Sequence, residues 1–199
     1  MKLTTSRRLA NNTGATLVPA RRRRSGEAGF TLIDMLFVVA LVGLLCSMAI
    51  PGLMRAKGAA QAASALGSMR LINSAQLSYA ITCGLGFYSP DLPTLGVPPP
   101  GATDGFLPAE MSADYTFVKS GYNFSLAGTP LPGAPASCNG LPMGAAAPGY
   151  AIVGDVIDST VSMPRFFGTN SDGIIWEHTS TLSATMPEVG APPAGEPIH

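Results

Sequence analysis

One apolar stretch near the N-terminus restricts the fold of this chain more than any other feature. Residues 30–50 are 21 in number and include a single charged side chain, Asp34. At about 1.5 Å per residue, an α-helix of this length extends roughly 31 Å, close to the thickness of a hydrocarbon core. The sequence therefore predicts one membrane-spanning helix. A carboxylate inside such a helix costs free energy, so we expect a partner charge for Asp34.

A short motif opens this stretch. The six residues from Gly29 to Asp34 (GFTLID) follow a basic leader and precede the apolar helix. This arrangement resembles the processing site of type IV pilins and of the pseudopilins of type II secretion systems. The resemblance implies that a prepilin peptidase cleaves after Gly29 and methylates the new amino terminus on Phe30. It also implies that Asp34, where the family usually has the longer Glu, pairs with the terminal amine of a neighbouring subunit.

Two residues mark weak points in the helix. Gly43 and Pro51 fall where the resemblance places a helix-weakening glycine and a kinking proline. Because proline has no backbone N–H and its ring clashes with the carbonyl four residues earlier, the sequence predicts a kink or break. Residues 52–82 lack proline and carry apolar side chains at three- and four-residue steps, which predicts an amphipathic helix. Its expected buried stripe comprises Leu66, Met69, Ile72, Gln76 and Ala80.

The charges are distributed unequally along the chain. Residues 1–29 carry seven basic and one acidic side chain, and residues 30–199 carry five basic and eleven acidic ones, so the formal charges are +6 and −6. Basic residues that flank a membrane span stay on the cytoplasmic side, which predicts export of the remainder. A negatively charged exported domain is a poor match for nucleic acid, and we expect no nucleic-acid partner.

The three cysteines divide by position. Cys46 lies within the apolar stretch, where it is interpreted as a small apolar residue. Cys83 and Cys138 lie in the part predicted to be exported, where an oxidising compartment favours disulfides. We predict that these two cysteines pair. The alternative is two unrelated thiols.

Short β-rich segments follow the helix. The candidate strands are residues 115–119, 122–126, 150–154, 165–169 and 174–178. Ser120-Gly121 and the Asn-Ser-Asp-Gly sequence at 170–173 are typical hairpin turns, and they join the first two and the last two candidates. A long N-terminal helix packed against about five antiparallel strands is an α+β arrangement. The resemblance implies the same layout, that of a pilin head.

Four segments result from these predictions. Residues 1–29 are the prepilin leader, 30–82 the N-terminal helix with its span at 30–50, and 83–186 the β-rich head. Residues 187–199 contain four prolines, a composition that predicts a flexible tail.

Catalytic and metal-binding patterns are sparse. Of the two histidines, His178 closes a predicted strand and His199 is the last residue. The sequence contains no nucleophile elbow, paired-histidine metal site or phosphate-binding glycine loop, so we expect neither an enzyme nor a cofactor. Residues 170–173 offer oxygen ligands for calcium, but partner carboxylates at a diagnostic spacing are missing. The turn interpretation of these residues is preferred.

The resemblance implies a structural subunit of a type IV pilus or pilus-like filament. The expected partners are copies of itself or other pilins through N-terminal helices, a prepilin peptidase, an inner-membrane assembly platform and, before assembly, membrane lipid. The expected location is the inner membrane with a periplasmic head, and after assembly an extracellular pilus or a periplasmic pseudopilus. The alternatives are a type II secretion pseudopilin and a single-span periplasmic binding protein that never assembles.

Overall fold

The computed structural model describes residues 30–158 and 164–198. The leader predicted at residues 1–29, the cleavage residue Gly29 and His199 lie outside these ranges. The chain divides into two compact units between Cys46 and Ser47.

The first helix, α1, extends from Leu32 to Thr82 and confirms the prediction of a long N-terminal helix. It begins two residues after the predicted start and ends as predicted, just before Gly84. The structure shows no break at Gly43 or Pro51, because α1 continues through both residues; a kink at Pro51 stays a prediction. Proline removes a single backbone donor from the helix, and the hydrogen bonds of the neighbouring turns keep the helical path.

The remaining elements form one antiparallel sheet with two short helices. The strand order is β1-β2-β3-β4-β5-β6, so every strand pairs with its neighbour in sequence. The short helices, α2 and α3, lie between α1 and the sheet in the chain. The bounds are α2 Leu92–Gly96, α3 Ala109–Ser112, β1 Thr116–Lys119, β2 Tyr122–Ala127, β3 Ala151–Val156, β4 Phe166–Asn170, β5 Ile175–His178 and β6 Glu196–Ile198.

The first predicted hairpin is confirmed with its turn. Lys119 pairs with Tyr122, which leaves the two-residue loop Ser120-Gly121 between β1 and β2. Both loop residues have positive φ, 52° and 82°. This is the conformation of a type I′ turn, whose twist matches that of the flanking strands. The second predicted hairpin is also present, as β4 and β5.

The prediction of a flexible tail at 187–199 was wrong. Residues 196–198 form β6, a sixth strand, and Ile198 pairs with Ile175 of β5. Composition misled the prediction because β6 is an edge strand, where a proline such as Pro197 is tolerated. Backbone hydrogen bonds to the rest of the sheet, rather than local sequence preference, order this segment.

The second unit buries one face of α1 against the sheet. The predicted stripe is buried at Met69, Ile72, Gln76 and Ala80, whereas Leu66 is half-buried at its margin. The sheet contributes large aromatic side chains to the same core, among them Phe124 and Phe167. A Cβ atom at Gly154 would lie 2.9 Å from Phe124 Cε1 and 3.0 Å from Met69 Cε. Glycine at this position therefore allows the sheet to approach α1.

A buried amide fixes the position of the segment after α1. The side chain of Gln76 is fully buried, and its Nε2 donates to the Ser89 carbonyl while its Oε1 accepts from the Ser89 N–H, both at 2.9 Å. Gln76→Leu leaves both backbone groups of the buried Ser89 without these partners. Each unsatisfied buried group costs about 1–3 kcal/mol, so we expect the free energy of unfolding to fall by roughly 2–5 kcal/mol.

Chemical denaturation of the detergent-solubilised chain measures this loss. The matched control is Gln61→Leu, the same substitution at a half-exposed position of α1, for which we expect a change within about 0.5 kcal/mol. Equal losses in the two variants would contradict the role assigned to Gln76.

Candidate functional site

The N-terminal part of α1 presents an apolar surface. Every side chain from Phe30 to Met54 is exposed, and Phe30 itself is 78% exposed. By length and composition, α1 is long and apolar enough to cross a membrane, and it is the one such helix among the described residues. These properties match the predicted span, and the exposed apolar side chains need lipid or other protein as their surroundings.

Reciprocal hydrogen bonds between two residues cap the N-terminal end of α1. The backbone N–H of Thr31 donates to Asp34 Oδ2 at 3.1 Å, and the backbone N–H of Asp34 donates to Thr31 Oγ1 at 3.3 Å. The Thr31 hydroxyl also donates to Asp34 Oδ2 at 2.6 Å. Thr31 is therefore the N-cap of α1, and the two residues form a capping box with Asp in place of the usual Glu.

The capping box gives Asp34 a local role that sequence reasoning missed. The expectation of a partner charge rested on the cost of a carboxylate in an apolar medium, and here neutral donors of Thr31 contact that carboxylate. A negative group in the first turn also interacts favourably with the helix dipole. The pattern Thr-x-x-Asp before an apolar run was the available signal. A charged partner for Asp34 stays a prediction.

The predicted disulfide is confirmed. Cys83 and Cys138 are bonded, with their Cα atoms 4.9 Å apart. The Cys138 N–H also donates to the Cys83 carbonyl at 3.1 Å. The bond joins the end of α1 to the Pro- and Gly-rich loop at 129–148, which carries little regular structure of its own. Cys46 is an exposed free cysteine on α1.

The turn at 170–173 holds the C-terminal segment. Asn170 Nδ2 donates to the carbonyls of Pro187 and Gly190, at 3.1 and 2.6 Å. Ser171 Oγ donates to the Glu188 carbonyl at 2.7 Å, and Asp172 Oδ2 accepts from the Gly190 N–H at 2.8 Å. Within the described part of the chain, no group of three or more His, Cys, Asp or Glu side chains is placed to hold a metal ion.

A groove lies between this turn and the exposed side of α1. We name it the α1–turn groove. Its volume is about 340 Å³, and its lining residues are Asn73, Ser74, Leu77, Tyr88, Tyr150 and the turn residues 171–173. Sequence reasoning missed this site, because its residues come from four separate segments and share no motif.

Hydrogen bonds fix the floor of the α1–turn groove. The hydroxyl of Tyr150 donates to Asn73 Oδ1 at 3.2 Å, and Asn73 Nδ2 donates to Thr169 Oγ1 at 3.0 Å. The Tyr150 ring packs edge-on against Tyr88, with centroids 4.9 Å apart. Burial, with a smaller contribution from Tyr88, raises the pKa of Tyr150, so its hydroxyl stays a donor at neutral pH.

His178, the predicted strand-end histidine, contacts a residue close to it in sequence. His178 lies at the end of β5, and its Nδ1 contacts the hydroxyl and the backbone N–H of Ser180 at 2.8 and 3.1 Å. Both contacts are local and exposed.

Comparison of the chain with protein-family models, with curated proteins and with solved structures finds no match.

Proposed function

We propose that this chain is the precursor of a structural subunit of a type IV pilus or pilus-like filament. The observation that carries the proposal is the GFTLID motif at 29–34, placed directly at the start of a long apolar helix. Two further observations support it. The side chains of the apolar segment are exposed, and the second half of α1 packs against an antiparallel sheet.

The proposed sequence of events combines the charge distribution with what the resemblance to type IV pilins implies. The basic leader keeps the N-terminus cytoplasmic while the remainder is exported. Membrane lipid surrounds the apolar part of α1 before assembly, and the prepilin peptidase cleaves between Gly29 and Phe30. An inner-membrane assembly platform then transfers the subunit into a filament, in which the apolar segments of neighbouring copies replace lipid around one another.

Asp34 guides this transfer in the proposal. Its carboxylate attracts the terminal ammonium of a neighbouring subunit, and the attraction is strong because the surroundings have a low dielectric constant. The capping box is compatible with this role, since the hydrogen bonds from Thr31 go to Oδ2. An exposed carboxylate has further lone pairs for a second donor.

The cleavage step is the direct test. Gly29→Ala is expected to leave the precursor uncut, because the resemblance implies a peptidase that requires glycine before the scissile bond. Mass spectrometry of the membrane-extracted protein measures the outcome. The unaltered chain is expected to begin at Phe30 and to carry one added methyl group.

The matched control is Gly43→Ala, the same substitution within α1, where an added Cβ meets no neighbour within 4 Å. This variant is expected to be cut normally. A Gly29→Ala protein of mature size, or a natural N-terminus other than Phe30, would refute the proposed processing site.

One observation favours a second candidate function, a tethered periplasmic protein that never assembles. The capping box accounts for an acidic residue at position 34 without any neighbour. Such a protein is expected only in membrane fractions, whereas a filament subunit is expected also in filaments sheared from the cell surface. Immunoblotting of both fractions separates the two functions.

A further inference from the structure

We propose that the α1–turn groove binds a neutral saccharide of one or two pyranose rings. All of its lining residues belong to the second compact unit. The proposal therefore does not depend on cleavage at Gly29 or on filament assembly. It rests on the size of the groove, on its fixed floor and on polar atoms that lack protein partners.

The size of the groove suits a small ligand. Ligand sites typically have volumes of about 300–1,000 Å³, and the groove, at about 340 Å³, falls at the small end of this range. The floor is formed before any ligand binds, because the chain of hydrogen bonds from Tyr150 through Asn73 to Thr169 locks these side chains. Such preorganisation reduces the entropy lost on binding.

Three polar groups in the lining of the groove have hydrogen-bonding capacity that the protein does not use. Within the described residues, Ser74 Oγ, the Tyr88 hydroxyl and Asp172 Oδ1 make no hydrogen bond to protein. The other oxygen of Asp172 is held by the Gly190 N–H at 2.8 Å. This contact orients the carboxylate and leaves Oδ1 as an acceptor.

Sugars match this set of groups. Their hydroxyls donate as well as accept, so one ring can use the carboxylate acceptor of Asp172 and the hydroxyls of Ser74 and Tyr88. Their C–H faces pack on apolar side chains, and the Tyr88 ring and the Leu77 methyl groups form an apolar wall of the groove. The edge-on contact with Tyr150 fixes the orientation of the Tyr88 ring.

Other ligand classes fit less well. The groove has no basic lining residue, and its single charge is the carboxylate of Asp172, which would repel phosphates and other anions. Calcium prefers six to eight oxygen ligands, usually including several carboxylates, and here one carboxylate is present. A lipid chain would leave the hydroxyls of Ser74 and Tyr88 and the carboxylate of Asp172 without hydrogen-bond partners.

Saturation-transfer difference NMR on the purified full chain tests the proposal. The chain is kept in a zwitterionic detergent without a sugar head group, because glycoside detergents would compete for the groove. The probes are maltose, cellobiose, lactose and chitobiose. We expect saturation transfer to at least one of these sugars, with an affinity that does not change with salt concentration because the ligand is neutral.

Two variants locate the binding. Asp172→Asn keeps a carbonyl oxygen for the Gly190 N–H but replaces the free acceptor by an NH₂ donor, and we expect affinity to fall at least ~10-fold. Ser74→Leu fills the groove from an exposed helix position and is expected to abolish transfer. The control is Asp104→Asn, an exposed carboxylate outside the groove, for which affinity is expected to be unchanged.

Circular dichroism confirms that each variant is folded before it is compared. No transfer to any of the four sugars overturns the proposal. Equal transfer in Asp172→Asn, Ser74→Leu and Asp104→Asn also overturns it, because binding would then lie elsewhere. Loss of filament assembly or of cleavage in a separate experiment leaves this result unaffected, since the sugar experiment uses only the purified full chain in detergent, cleaved or uncleaved.

Discussion

Asp34→Ala is expected to leave cleavage after Gly29 intact and to abolish incorporation of the mature chain into filaments. In the proposed filament, the terminal ammonium of a neighbouring subunit would enter an apolar interior unpaired if the carboxylate were missing. Removing one partner of a buried ion pair costs about 3–5 kcal/mol, which corresponds to a loss of roughly two to four orders of magnitude in the association constant. Immunoblotting of sheared filaments and of membranes measures incorporation and cleavage in the same cells.

Two further variants separate the charge of Asp34 from its capping role. Asp34→Asn keeps an oxygen that accepts from the N–H and the hydroxyl of Thr31, but it removes the charge. Thr31→Val removes the hydroxyl and keeps the charge, at a cost of about 1 kcal/mol in helix capping. Charge pairing predicts that Asp34→Asn fails to assemble and that Thr31→Val assembles.

The reverse outcome would mean that Asp34 serves only to cap α1. The control for net charge is Asp104→Ala, which removes one negative charge from an exposed position in the second unit. Normal assembly is expected for this variant. Failure of Asp104→Ala to assemble would show that assembly responds to total charge, and the pairing role assigned to Asp34 would be contradicted.

Removal of the disulfide is expected to cause the second large effect. The bond between Cys83 and Cys138 closes a loop with a sequence separation of 55 residues. In the chain-entropy model, closing a loop of this length stabilises a protein by about 4 kcal/mol. We therefore expect the double variant Cys83→Ala/Cys138→Ala to lose about this much, with a fall in Tm of roughly 10 °C.

Removing the disulfide should also loosen the loop at 129–148 in the folded protein. Residues 129–148 form turns rather than a helix or strand, with internal backbone hydrogen bonds such as that from the Leu131 N–H to the Ala146 carbonyl at 2.9 Å. A second attachment joins Asn139 Nδ2 to the Thr94 carbonyl at 2.8 Å. The disulfide is the covalent attachment of this loop to α1, so its removal should also increase proteolysis within the loop.

Thermal unfolding with and without dithiothreitol measures the contribution of the bond. Dithiothreitol should lower the Tm of the unaltered chain and leave that of the double variant unchanged. The control is Cys46→Ala, because this cysteine is free and exposed, and its stability is expected to change by no more than about 0.5 kcal/mol. An unaltered Tm of the wild-type chain in dithiothreitol would contradict the stabilising role.

Much of the fold followed from local patterns. The long helix, its end near Gly84, the two hairpins and the buried stripe on α1 were predicted because each depends on residues close together in sequence. A kink or break at Gly43 and Pro51 was predicted from a local rule, and α1 continues without a break through both residues because proline removes only one backbone donor.

The candidate sites likewise divide into those formed by contiguous residues and one formed by residues distant in sequence. The GFTLID motif and the apolar stretch were visible in the sequence because both are contiguous. The α1–turn groove was invisible, because Asn73, Tyr88, Tyr150 and Asp172 become neighbours only when α1 packs beside the β4–β5 turn. The capping box had a local signal, but the carboxylate was interpreted only through its charge.

By itself, the sequence determined that this chain has one apolar helix able to span a membrane, a pair of cysteines placed to bond, and β-hairpins joined by tight turns. Hydrophobic periodicity and turn chemistry are properties of short segments, so they can be read before folding. Only the tertiary structure decided that residues 196–198 add a sixth strand and that the 170–173 turn holds the C-terminal segment. Those outcomes depend on backbone groups of distant segments finding one another, and backbone groups are the same in every residue except proline.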